Sequence, residues 1–109
     1  MSKRPADLLV QDILECLERI FSYTAGFSFE TFTQNQMTVD AVVRNLEIIG
    51  EAASRLPDDF RSQNPDVEWK KVVGLRNRII HEYFGVDLEI IWQIIQKDLP
   101  ELESRLKAI

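Results

Sequence analysis

Apolar residues three and four positions apart run through most of the chain. From about Pro5 to about Tyr23, Leu9, Ile13, Leu17, Ile20 and Phe21 mark one face of a helix, with Pro5 suited to a first turn. Thr24-Ala25-Gly26 breaks that helix, and Ser28-Phe29-Glu30-Thr31-Phe32 reads as a short capped turn. A second long helix is expected from about Asn35 to Leu56, with Val39, Val43, Leu46, Ile49, Ala53 and Leu56 inward and Pro57 ending it. Asp58-Asp59-Phe60-Arg61 makes a short helix before Pro65. Asp66 is placed to cap a third long helix that turns Val72, Leu75 and Ile79 to the core and stops before Gly85. Asp87 caps the last helix, where Leu88, Ile91, Trp92, Ile95, Leu99, Leu102 and Leu106 share a side. Ile90 and Ile94 widen that stripe, as suits a helix between neighbours, and Pro100 should kink it by clashing with the carbonyl of Gln96. No β-hairpin signal, repeat or long linker interrupts the pattern. Four long helical patterns with short connectors predict an all-α four-helix bundle with short additional helices, one domain spanning residues 1–109.

Composition adds little to that fold and more to its setting. Hydrophobic residues at 45% and charged residues at 28% are ordinary for a globular chain, and no segment is apolar enough to span a membrane. The start, Met1-Ser2-Lys3-Arg4-Pro5, is not the start of an export signal, and a single cysteine, Cys16 on the first helix's apolar face, fits a reducing cytoplasm. Phe27, Phe29 and Phe32 read as packing residues rather than a platform for bases. One histidine, one cysteine and scattered acids do not assemble a metal site, and no glycine loop for phosphates is present, so neither metal nor cofactor is expected.

Charge is more informative. A net charge of −5 argues against broad attraction to nucleic acid. Yet residues 69–81 carry Lys70, Lys71, Arg76 and Arg78 with no acid, so this one segment is suited to phosphate. Lys70 and Lys71 either contact a nucleic-acid backbone or are merely solvated, and Arg78 is open to the same two readings.

That segment also holds the only histidine, in Arg76-Asn77-Arg78-Ile79-Ile80-His81-Glu82-Tyr83. An imidazole exchanges protons near neutral pH, and an arginine holds a phosphate and stabilises charge building on a pentavalent phosphorus. The pairing suits cleavage of a phosphodiester. Metal-free RNA cleavage through a 2′,3′-cyclic phosphate needs both a base and an acid, so a second imidazole would come from a two-fold related copy. At about 100° per residue, Arg76 and His81 lie about 140° apart on a helix, while Gly74, Asn77 and His81 share a stripe that reads as a dimer face. Plainer readings stand beside these. His81 can be a dipole-stabilised helix end, Arg76 a solvated charge, and Tyr83 an amphipathic residue at the core's edge.

Arg-x4-His-x-Tyr, filled by Arg76, His81 and Tyr83, resembles the signature of the HepT-like toxins of the HEPN superfamily. The likeness extends over Trp69–Arg78, Tyr83–Asp87, Ala41–Ala52 and Asp98–Leu102. It implies a HEPN-like helical bundle and a homodimer with facing motifs. It further implies a metal-independent endoribonuclease toxin of a type II-like pair, acting on RNA, with tRNA the candidate substrate the family suggests. Carried over, Arg76 and His81 would be catalytic, with Asn77 a supporting residue, while Lys70, Lys71 and Arg78 are the candidate RNA contacts on the charge pattern alone. Tyr83 would receive AMP from a partner, an MntA-type nucleotidyltransferase antitoxin, placing bulk and negative charge beside the motif. The polar stripe Asp40, Arg44, Glu47, Glu51 and Arg55 is either a surface ladder of ion pairs or, through Arg44 and Glu51, a brace for the motif. The alternative to a ribonuclease is a non-catalytic helical module that docks a nucleotidyltransferase or binds a nucleotide.

Overall fold

The computed structural model describes residues 4–81 and 85–109, with His81 described as backbone. Two long helices form its base. α1 (Ala6–Thr24) buries Leu9, Ile13, Cys16, Leu17 and Ile20, and α3 (Gln36–Arg55) buries Val39, Val42, Leu46, Ile49 and Ala53 against it. Side chains written in the sequence set the ends of these elements. The Asn35 Oδ1 accepts from the Thr38 amide at 3.0 Å and starts α3, and Leu56-Pro57 follows its last turn. Between them, α2 (Phe29–Thr33) opens with a reciprocal cap. The Thr31 amide donates to Ser28 Oγ, and the Ser28 amide donates to Thr31 Oγ1 at 2.8 Å. α2 drops Phe32 into the core, 5.2 Å from the Trp92 ring, and leaves Phe29 partly exposed. Cys16 is buried, which pushes its thiol above the ordinary range.

The last helical rod runs as α7 (Leu88–Gln93), a wide π turn (Ile94–Asp98) and α8 (Leu99–Lys107), right-handed helical at both junctions. Asp87 caps it as expected, accepting from the Ile90 amide at 3.1 Å. A plain α-helix would ask Pro100 for an amide proton it lacks and press its ring on the carbonyl of Gln96. The π turn just before Pro100 widens the backbone there, and Pro100 then lies in the first turn of α8, where no intrahelical amide bond is needed.

The third long helix is where structure and pattern part. After α4 (Asp58–Gln63), the chain forms α5 (Trp69–Val73), breaks at Gly74 (φ −84°, ψ 7°), and forms α6 (Leu75–Ile79). Asp66 does not cap it; its carbonyl instead accepts from Arg105 Nη1 at 2.6 Å, and α5 begins after Glu68 with no side-chain cap. Ile80 is extended (φ −97°, ψ 124°). β1 (Ile80–His81) pairs antiparallel with β2 (Gly85–Val86), Ile80 opposite Val86 and His81 opposite Gly85. Consecutive β-branched residues at 79 and 80 favour the extended form, and Gly85 at φ +82° turns the returning chain into register. The Asp87 amide closes the loop on the carbonyl of Ile79 at 2.7 Å. His81 is therefore past the helix, and the helical stripe joining Gly74, Asn77 and His81 does not form.

Two five-residue helices are too short to persist alone, so packing holds them. Trp69, Val72, Leu75 and Ile79 are all buried in the common core. α3 comes close enough that a Cβ on Gly50 would stand 3.3 Å from the carbonyl oxygen of Val72. A Gly50→Leu substitution should therefore force α3 from α5 and cost about 1–3 kcal/mol. The check is urea unfolding at fixed protein concentration, where the midpoint should fall; an unchanged midpoint would contradict the contact.

Candidate functional site

The seam formed by Leu75 and Ile79 decides where the arginines go. With those two residues buried four positions apart, 100° per residue puts Arg76 on one flank of α6, Arg78 on the other and Asn77 outward. α5 and α6 thus form a ridge between two grooves, and each groove receives one arginine.

Arg76 enters the groove shared with α3. This solvent-open space of about 670 Å³ is lined by Arg44, Glu47, Gly50, Glu51, Ser54, Val73 and Arg76. Three residues singled out from sequence, Arg76, Arg44 and Glu51, meet here, although Arg76 lies more than twenty positions from the other two. Glu47, Glu51 and Ser54 follow one helical face of α3, and Gly50 between them lets the ridge approach. Arg44 and Arg76 are exposed and have no ion-pair partner among the described residues. The Glu51 carboxylate is engaged by Arg55 Nη2 at 2.7 Å, one turn along α3, so this part of the polar stripe is a surface pair.

Arg78 enters the opposite groove, against α8. Its Nη2 donates to Asp98 Oδ2 at 2.8 Å. Lys71 lies on the same side and pairs with Glu68 at 2.8 Å. The hydrogen bond and charge of Lys71 hold the Glu68 carboxyl below the usual carboxylate range, and Glu68 raises Lys71 in return. The basic stretch seen in the sequence is therefore divided. Lys71 and Arg78 are matched by carboxylates in the α8 groove, whereas Arg76 and the exposed Lys70 are unmatched among the described residues. No local pattern marked Asp98 as a partner of Arg78, since twenty residues separate them; the contact arises from the ridge lying on the rod.

The backbone of His81 follows α6 directly, in β1 beside Gly85. The reading of Tyr83 falls outside the described residues. Among the described residues no cluster of three or more His, Cys, Asp and Glu side chains could hold a metal ion, and no helix is long and apolar enough to cross a membrane.

A ribonuclease HepT-like family model matches residues 13–109. The chain is 45% identical over 107 residues to "Putative RNase TTE0752" of Caldanaerobacter subterraneus, covering 98% of this chain and 95% of that one. It is 40% identical over 109 residues to "Putative RNase MJ1380" of Methanocaldococcus jannaschii, covering both chains fully. With "Probable ribonuclease HepT" of Thermococcus cleftensis it shares 36% over 107 residues, or 98% and 97% of the two chains. No solved structure matches.

The Lys71–Glu68 pairing is open to a direct check. In Lys71→Ala protein the Glu68 carboxyl should titrate higher than in the parent, back toward the ordinary carboxylate range, as followed by carboxyl NMR shifts. An unmoved Glu68 would mean that Lys71 is not held by it and is free for other contacts.

Proposed function

The chain belongs to the ribonuclease HepT-like family of the HEPN superfamily, and from that membership we propose that it is a metal-independent endoribonuclease toxin. The observation that carries the reading is the pair of guanidiniums, Arg76 and Arg44, unmatched among the described residues at one groove of an acidic chain, with His81 following Arg76 on the same short segment.

In this reading a phosphodiester of RNA lies along the α3 groove. Arg76 holds the scissile phosphate and stabilises the phosphorane, and Arg44 adds a second positive charge from α3. His81 takes the proton of the ribose 2′-hydroxyl as its oxygen attacks phosphorus. The bond from phosphorus to the 5′-oxygen breaks, and that oxygen takes a proton from an imidazolium. The products are a 2′,3′-cyclic phosphate and a 5′-hydroxyl. The second imidazole is His81 of a two-fold related copy in a homodimer.

Control falls to Tyr83. Its phenol oxygen attacks the α-phosphate of ATP on an MntA-type nucleotidyltransferase antitoxin, pyrophosphate leaves, and AMP remains on the ring. The added phosphate repels RNA and its nucleoside blocks the groove. The substrate class is RNA, with tRNA as the first candidate, and the setting is cytoplasmic.

Cleavage of a fluorescent RNA by the protein purified without its partner, in EDTA, tests the reading. Arg76→Ala and His81→Ala should each lower the rate at least about a hundredfold while remaining folded by circular dichroism, and Arg44→Ala by about tenfold. An active His81→Ala protein would remove the assignment. RNA or nucleotide binding without cleavage, in protein whose intact mass shows no AMP, would favour the docking module. Tyr83→Phe should cut RNA at the parental rate and escape silencing by the nucleotidyltransferase with ATP. Intact mass showing AMP on that variant would place the acceptor elsewhere.

A further inference from the structure

Arg76, the proposed phosphate-holding residue, sits on a helix with few side-chain restraints of its own. α6 has five residues, no side-chain cap at its start, and an extended residue immediately after it. Its buried seam, Leu75 and Ile79, lies along one line and fixes the depth of the ridge, and the Asp87 amide on the Ile79 carbonyl with the β1–β2 pairing fixes its C-terminal end, while neither reaches the flank that carries Arg78. Arg76 and Arg78 project on opposite flanks of the seam, and a restraint on one sets the angle of the other.

The structure contains such a restraint. Arg78 reaches across the α8 groove to Asp98 at 2.8 Å, a contact between residues twenty apart in the chain. It is the side-chain hydrogen bond tying α6 to another element among the described residues. Asp98 is the last residue of the π turn, the position where the rod's backbone has been widened ahead of Pro100. The floor beneath the pair is apolar, made by Val72, Leu75, Leu99 and Leu102, which limits the positions the pair can take up. A second tie lies farther along the same groove, where Arg105 holds the carbonyl of Asp66 at 2.6 Å, ahead of α5.

We infer that Arg78 and Asp98 are positioning residues, a latch that sets the rotation of α6 and so aims Arg76 into the α3 groove and delivers His81 beside it. The inference rests on the ribonuclease reading and deepens it. It also replaces the expectation that Arg78 contacts RNA, because the guanidinium is already committed to a carboxylate on the side away from Arg76.

The discriminating variant is Asp98→Asn, which keeps size and removes charge. If Arg78 were a direct phosphate contact, releasing it from Asp98 would tighten RNA binding and maintain or raise the rate. A latch predicts the reverse: kcat in EDTA falls by up to about fivefold, the population shift that a pair worth at most about 1 kcal/mol can produce, with KM unchanged. Amides of residues 75–80 should then exchange hydrogen faster by up to about fivefold, while those of α1 and α3 keep their parental rates. The exchanged pair Arg78→Asp with Asp98→Arg should recover most of both losses, which a merely structural role of either residue alone would not produce. Tighter RNA binding with undiminished kcat in Asp98→Asn, or unchanged exchange at 75–80, would overturn the latch. Absence of cleavage by the parent protein would overturn the ribonuclease reading instead, and the exchange measurement would still decide the latch.

Discussion

Burial of Leu75 and Ile79 is the constraint on which the site depends. Five residues cannot sustain a helix in water, and α6 has neither a cap nor a continuous neighbour to extend it. Two fully buried aliphatic side chains contribute about 1.5–3 kcal/mol each, while a half-exposed ion pair such as Arg78–Asp98 contributes at most about 1 kcal/mol. Apolar burial therefore holds the ridge down, and charge can only adjust its angle. Because the seam is narrow, the residues beside it are forced apart into separate grooves. The two arginines of Arg-x-Arg look equivalent in sequence and are opposite in space.

This division reconciles an acidic protein with a phosphate substrate. Matched pairs along the α8 groove remove Lys71 and Arg78 from the electrostatic account, and the exposed Glu51 carboxylate is answered by Arg55. What remains at the other groove is Arg76 and Arg44, without an ion-pair partner among the described residues, beside the Glu47 and Glu51 carboxylates of α3. Broad non-specific binding would need many such charges, since its strength grows with the number of phosphates neutralised. A few charges at the reacting position suit local binding of one phosphodiester and leave the rest of the surface repelling RNA.

The long elements were legible because their information is local. Stripes on α1, α3 and the final rod repeat at helical spacing for several turns, and Ser28, Asn35 and Asp87 each announce a helix start by a side chain that then caps it. Pro100 announced a disturbance, and the π turn is the form it took. The broken third helix was not legible. Trp69 to Ile79 has acceptable helical spacing, and an interior Gly74 costs only about 1 kcal/mol, too little by itself to enforce a break. Contact of α5 with α3 at Gly50 and the returning strand at Gly85 are tertiary facts. The same limit applies to the site: Arg44 and Glu51 could be tied to Arg76 by the motif's likeness to a family, while Asp98 had no local mark at all.

The central claim is that an arginine and an imidazole, without a metal, make the ribose 2′-oxygen the nucleophile. Identifying the ends left on RNA digested in EDTA tests this most directly. The account predicts 2′,3′-cyclic phosphates and 5′-hydroxyls from the outset of the reaction. Ends bearing 3′-hydroxyl and 5′-phosphate would show that water rather than the ribose attacks, and cleavage that begins only when a divalent cation is restored would show that a metal is needed; either would contradict it.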